Sequence, residues 1–325
     1  FVIDIAEGVT RIGNYMFCDG KGLAMGNIPS TMQTIGNYAF NNCGNAWGEN
    51  IRLSNVTEIG NYAFYNCYEV KIDATTFGAM KKIGKNAFYN AKKIAGSLNI
   101  ENVSEIGEGA FSNCSEINGL SVPISLNIVM STSNPVFYNC TAIKNIDFKK
   151  GTGYGVDFTE SGSKLTPWYY SRSNDIEITL EEGITNIGNY AFNNCTGLKK
   201  INIPTTVNRI GMYAFSSCTN LVCNLGLSEN IEQIGRYAFY DCQGLTGDIN
   251  IPSKLTELNE YVFYNCTGLT GTVEIPEGVT KLKDYTFYNC TGIEEVKIDG
   301  EVEVGAGVFY TFGNCTGIKK LTLPI

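Results

Sequence analysis

Ten of the twelve cysteines hold one place in a recurring pattern: Cys43, Cys67, Cys114, Cys140, Cys195, Cys218, Cys242, Cys266, Cys290 and Cys315. Each lies three residues after a phenylalanine. Regularly spaced thiols could serve disulfide pairing, metal ligation or redox exchange. Zinc needs CxxC pairs or Cys/His clusters, and the sequence has neither, with no histidine at all. Without histidine there is no Ser-His-Asp or Cys-His pairing for nucleophilic catalysis. Walker, dinucleotide and HExxH motifs are missing too. Gly151-x-Gly153-x-Gly155 is glycine-rich but lacks the strand-to-helix setting of a phosphate cradle. Acidic pairs such as Glu181-Glu182 and Glu294-Glu295 are scattered and read as solvated faces. The chain is therefore expected to be no enzyme, with no catalytic residue, no cofactor and no metal.

The cysteines instead belong to a repeat. One copy runs Thr185-Asn186-Ile187-Gly188-Asn189-Tyr190-Ala191-Phe192-Asn193-Asn194-Cys195-Thr196-Gly197-Leu198-Lys199-Lys200-Ile201-Asn202-Ile203-Pro204. Phe17, Phe40, Phe64, Phe88 and Phe111 mark a first run, with Phe137 as a looser member. Phe192, Phe215, Phe239, Phe263, Phe287 and Phe312 mark a second. Most spacings are 23 or 24 residues. Such a unit cannot cover its own apolar residues, so copies must stack into a solenoid. The expected fold is an α/β-type repeat solenoid of about thirteen coils. The cysteine slot then becomes a ladder of small buried groups. Ala91 and Gly20 fill it elsewhere, so size outweighs sulfur and the thiols should be free. Cys18 and Cys223 stand off the ladder.

Within a copy, Leu198-x-x-Ile201-x-Ile203 alternates as a short half-buried strand. Pro204, Pro252 and Pro276 end theirs, since proline cannot donate the next ladder bond. Val207 and Ile210 point inward, and Gly211 suits a tight turn or a close backbone approach. Phenylalanines of successive coils should stack as a spine. The asparagine usually found before Cys should satisfy turn backbone and form a polar ladder. A tyrosine column (Tyr15, Tyr38, Tyr62, Tyr190, Tyr213, Tyr237, Tyr261 and Tyr285) reads as packing on the return side rather than as a binding stripe. The Asn-Cys-Thr sequons at Asn139, Asn194, Asn265, Asn289 and Asn314 read as a coincidence with the repeat consensus.

The signature Ile-Gly-x-x-Ala-Phe-x-x-Cys-x-x-Leu-x-x-Ile-x-Ile-Pro, clean at 187–204 and with the extra Gly247 at 234–252, resembles the BspA-like (treponemal-type) leucine-rich repeat family. It covers almost the whole chain. The resemblance implies a right-handed curved array, with short parallel strands on the concave face and irregular or short helical returns on the convex face. It also implies a surface-exposed or secreted bacterial protein with an adhesive, protein-binding role. The net charge of −8 argues against nucleic acid, which needs a basic face. No apolar run approaches the roughly 20 residues of a membrane helix, so no membrane insertion is expected.

Three segments are expected: a first array at 1–149, a lead-in or interruption at 150–175, and a second array at 176–325, together one solenoid. Both ends read as strands, which suggests a piece of a longer protein. Candidate binding residues are Tyr154, Phe158, Trp168, Tyr169 and Tyr170 in the interruption, with Trp47 in a lengthened copy. Trp168 and its neighbours either cover the core where the arrays meet, the preferred reading, or bind a partner. On the concave face the candidates are Arg52, Asn99, Asp147, Asn202, Asn250, Glu274 and Lys297, small or polar and of mixed sign. The expected partner is a host matrix or microbial surface protein, met by a monomer. A passive spacer displaying other domains is the alternative.

Overall fold

The computed structural model describes residues 2–26, 28–44, 50–123, 127–128, 134–149, 175–305 and 307–323. They fall into two compact units, 2–149 and 175–323. Both are stacks of parallel-strand coils. A regular coil has a strand on one side, a two-residue strand ending in an apolar residue that is most often the Ile of Ile-Gly, and a return that brings the chain back.

In the first unit the long strands Ile72–Asp73, Ile94–Asn99, Ile117–Pro123 and Asn145–Lys149 pair in chain order. The two-residue strands Arg11–Ile12, Thr34–Ile35, Glu58–Ile59, Lys82–Ile83, Glu105–Ile106 and Asn127–Ile128 form a second ladder. In the second unit Ile176–Leu180 pairs with Leu198–Asn202. A further set is Gly247–Asn250, Leu269–Ile275, Ile293–Ile298 and Lys320–Thr322. Gly96, Gly247 and Gly271 lie where the register shifts, at φ of 105°, 83° and 74°. Each stands beside a pairing irregularity, in a conformation that glycine adopts freely.

The interior is a phenylalanine spine. Ring centroids from Phe17 to Phe137 are 5.1–5.7 Å apart. From Phe192 to Phe312 the spacing is 5.2–5.4 Å. Inward Ile, Leu and Val of both ladders close around it. Helix is sparse among the described residues, limited to the 3-10 segment Ala74–Ala79 and the short Val308–Thr311. The first replaces a regular return where the sequence departs from the consensus. Asp73 caps it by accepting from Thr75 N, and buried Phe77 leans on Phe88 and Phe111.

The glycine of Ile-Gly is required by close approach rather than by φ. A Cβ on Gly60, Gly84, Gly211 or Gly235 would lie 2.5 Å from a backbone nitrogen of the preceding coil. Its N–H donates back to that coil, as Gly84 N does to Ile59 O at 2.9 Å. Asn259 occupies this slot one coil after Gly235. There the ladder splits into two groups of three strands, one ending at Gln233–Ile234 and the other starting at Glu257–Leu258. The Asn259 side-chain Nδ2 donates to Ile234 O at 2.8 Å instead.

Carboxylates also tie coils together. Glu7 and Glu229 accept from the backbone N–H groups of Ser30 and Ser253, and Asp19 accepts from Asn42 Nδ2. These bonds, the backbone N–H first for both glutamates and the Asn42 amide for Asp19, hold the three acids below their ordinary values. A depressed folded pKa gives stability that is present above the ordinary carboxylate range and lost as pH falls through the depressed values. Acid unfolding followed by circular dichroism should therefore begin below about pH 4. Glu229→Gln should flatten the decline in the second unit.

Candidate functional site

The sequence-derived candidates fall in three places. Trp47, Tyr154, Phe158, Trp168, Tyr169 and Tyr170 lie outside the described residues. On the long-strand side, Asn99 and Asp147 flank Ser121 in register, and Asn202 sits opposite Thr179. Asn250, Glu274 and Lys297 form one row, with Lys297 Nζ 2.7 Å from Glu274 Oε1. Arg52 belongs to a different row. Ile51 pairs with Ile72, so Arg52 meets Asp73, at 3.9 Å, and Asp73 aligns with Ala95, four residues before Asn99. Charges on this side largely face opposite charges on the next coil, as Lys320 faces Glu295 at 2.8 Å. Exposed pairs of this kind contribute little stability, about 0–1 kcal/mol.

The return side is built differently. Each regular return holds two residues in the left-handed region, four apart. The first is the column tyrosine, as in Tyr38, Tyr62, Tyr213 and Tyr237 at φ of 55°, 55°, 54° and 59°. The second is the residue before Cys, as in Asn42, Asn66, Asn194 and Asn289 at 56–61°. The two reversals point alternate N–H groups at the same neighbour. Thus Tyr38 N, Phe40 N and Asn42 N all donate to the following coil, at 2.8–2.9 Å. Asparagine tolerates this conformation, and its amide extends the pattern. Nδ2 of Asn66, Asn90, Asn113 and Asn139 each donates to the Oδ1 of the preceding asparagine. Asp19 and Asp241 receive the first donor of the two chains of amides, where an acceptor-only group is fitting. Of the sequon asparagines, Asn139, Asn265, Asn289 and Asn314 have their amides engaged in this way.

Tyrosine is a poor left-handed residue, at a cost of about 1–2 kcal/mol. Ring stacking offsets part of that. Tyr190, Tyr213, Tyr237, Tyr261 and Tyr285 stack at 4.6–5.0 Å with interplanar angles of 6–8°. A second column, Tyr240, Tyr264 and Tyr288, stacks at 5.0–5.2 Å. It meets the first edge to ring at 5.5–5.7 Å. Tyr310 joins by an edge contact to Tyr285. The Arg236 guanidinium lies over the rings of Tyr237 and Tyr261, at 5.1 and 5.7 Å. The rings thus pack on each other as the sequence suggests, yet their edges stay half-exposed. Partial burial, then the neighbouring phenols, keeps the Tyr213, Tyr240 and Tyr261 hydroxyls above their ordinary value, so they stay neutral. The second column escaped the sequence reading. Its signal is a tyrosine directly after the repeat Phe, at Tyr65, Tyr89, Tyr138, Tyr240, Tyr264 and Tyr288.

All twelve cysteines are free thiols. The ladder thiols do more than fill space. Nine of the ten donate to the carbonyl of the preceding coil's phenylalanine, among them Cys43 to Phe17, Cys67 to Phe40, Cys242 to Phe215 and Cys290 to Phe263, all at 3.0 Å. Burial raises the pKa of these nine, to about 11 at Cys43 and Cys315 and about 12 at Cys140. Such thiols are inert. With excess Ellman reagent on the native chain, only half-buried Cys18 and Cys223 should react rapidly. The other ten should react after unfolding. Among the described residues no group of three or more His, Cys, Asp or Glu converges to hold a metal. No described helix is long and apolar enough to cross a membrane.

Parallel strands, one coil per repeat and a stacked aromatic core define a leucine-rich repeat solenoid. The sequence matches the BspA type leucine rich repeat region over residues 2–118, 49–154, 81–222, 163–294 and 222–325, and the chain belongs to that family. The family is a repeat family and indicates no enzyme. A leucine-rich repeat protein from Bacteroides ovatus shares the fold at 23% identity and a TM-score of 0.58, with 98% of this chain and 85% of that chain covered. A leucine rich cell surface protein from Faecalibacterium prausnitzii aligns at 24% identity and a TM-score of 0.38, covering 99% and 86%. The pneumococcal vaccine antigen PcpA aligns at 17% and 0.35, covering 100% and 88%. Comparison with curated proteins finds no match.

Proposed function

We propose that the chain is a non-catalytic protein-binding module of a bacterial surface or secreted protein, and that it recognises its partner through the tyrosine edge of the second unit. One observation carries this reading: nine tyrosines linked in one network of ring contacts are half-exposed or exposed, and Arg236 lies over two of them. Tyrosine and arginine are the residue types that dominate binding hot spots. Tyrosine gives contact area at low entropic cost, and stacking already restricts these rings. The surface location rests on the family, and the adhesive role on its resemblance to adhesive members. Trp47, Tyr154, Phe158, Trp168, Tyr169 and Tyr170 are proposed as a second contact region. The ion-paired, regular long-strand side favours the other reading, a passive spacer.

Binding to immobilised matrix proteins and microbial surfaces tests the proposal. The parent chain and Trp168→Ala/Tyr169→Ala/Tyr170→Ala are compared, together with their melting temperatures. Saturable binding by the parent is expected. Loss of binding in the variant without loss of stability would move recognition to the interruption. A parent that binds nothing leaves the spacer reading in place.

A further inference from the structure

We infer that the tyrosine columns of the second unit are an oxidative cross-linking site, at which a peroxide-driven haem peroxidase couples Tyr237 to Tyr213 or Tyr261 through an aryl–aryl bond. This does not depend on the recognition reading.

Three features place the chemistry here. The Tyr237 ring lies 4.6 Å from both Tyr213 and Tyr261, nearly parallel to each. The three residues sit at equivalent points of successive coils, with φ of 54°, 59° and 60°, so the backbone fixes their spacing. Their edges are half-exposed, so an oxidant can reach them. The outer torsion of a tyrosine side chain is broad, which lets stacked rings slip and twist until the carbons ortho to the hydroxyls meet.

The steps balance. Each of two phenols loses one electron and one proton to become a phenoxyl radical. The radicals join by a carbon–carbon bond between ortho carbons. The hydrogens on those carbons pass to the oxygens through solvent, which restores two phenols. The chain has lost two hydrogens, and one hydrogen peroxide has become two waters. An oxidised ring can also exchange its radical with a stacked neighbour until two lie side by side. A partner held in contact competes with diffusing chains at an effective concentration far above any protein solution. The link should therefore form within the chain. It would staple adjacent coils of a protein whose cysteines are all free, as a disulfide would elsewhere.

The test treats the whole chain with a haem peroxidase and limiting hydrogen peroxide. Dityrosine fluorescence, intact mass, a denaturing gel and a tryptic map are the readouts. The expected product is a monomer lighter by two hydrogens per link, with joined peptides Tyr213–Tyr237 and Tyr237–Tyr261 and a raised melting temperature. Tyr237→Phe keeps the ring and the stack but removes the phenol. It should lose both joined peptides while its untreated melting temperature stays that of the parent. If that variant misfolds, the parent's peptide map decides alone. The inference fails if covalent dimers predominate, if links run through exposed Tyr15 or Tyr68 instead, or if no dityrosine forms.

Discussion

Phe239→Ala is expected to destabilise the second unit by about 4 kcal/mol. The ring is fully buried and lies between Phe215 at 5.2 Å and Phe263 at 5.4 Å. Truncation removes both stacking contacts and leaves a cavity that rigid backbone ladders on either side cannot collapse. Phe17→Ala is the internal comparison. Phe17 is only half-buried and stacks on Phe40 alone, so its loss should be well under half as large. Each coil is held mainly by its neighbours, so the damage should centre on the coils carrying Phe215 and Phe263. Urea unfolding gives the size of the effect, and hydrogen exchange of the 209–218 and 257–266 amides gives its place. Equal losses at Phe17 and Phe239 would contradict a spine whose strength comes from neighbours on both faces.

Gly84→Ala is expected to cost about 3 kcal/mol, the upper range for a group forced into packed structure. The new Cβ would sit 2.5 Å from Asn61 N and from Gly60 C, both backbone atoms. No rotamer relieves such a clash. The coil must move outward and lose the bond from Gly84 N to Ile59 O. Gly78→Ala is the control. A Cβ there meets nothing within 4 Å, and the residue lies in the 3-10 segment Ala74–Ala79. That change should be neutral or stabilise by about 0.4–1 kcal/mol through the unfolded chain. The sequence itself holds a related substitution. Asn259 stands in the same slot, and the short ladder is broken at that coil. If Gly84→Ala and Gly78→Ala melt alike, the slot is not set by coil-to-coil approach.

What could be read from the sequence was whatever depends on burial or covalent geometry. The Phe register, the inward Val207 and Ile210, and the strand-ending Pro204 follow from apolar period and a missing N–H, and the structure has them so. By sequence the glycine slot suits a turn or a close approach, and the structure shows the approach. Other features were hidden for physical reasons. Tyrosine has no preference for positive φ, so nothing in its type announces the left-handed turns at Tyr213 or Tyr237. The thiol slot tolerates Ala91 and Gly20, which masks its hydrogen bond to the Phe carbonyl. The pairing of Ile51 with Ile72 and of Asp73 with Ala95 puts Arg52 beside Asp73 and not in the row of Asn99. Half-exposure of the tyrosine edges depends on which rings stack, and a one-dimensional pattern does not carry that.

The proposal that the tyrosine edge recognises a protein is tested most directly by deleting hydroxyls and nothing else. Tyr213→Phe/Tyr237→Phe/Tyr261→Phe keeps the rings, the stacks and the cation above them. Its affinity is measured against whichever matrix or microbial surface protein the parent binds most tightly, with the melting temperature recorded in parallel. A loss of at least about tenfold, or 1.4 kcal/mol, is expected at an unchanged melting temperature. Unchanged affinity in a folded variant would contradict it and return the columns to a purely structural role.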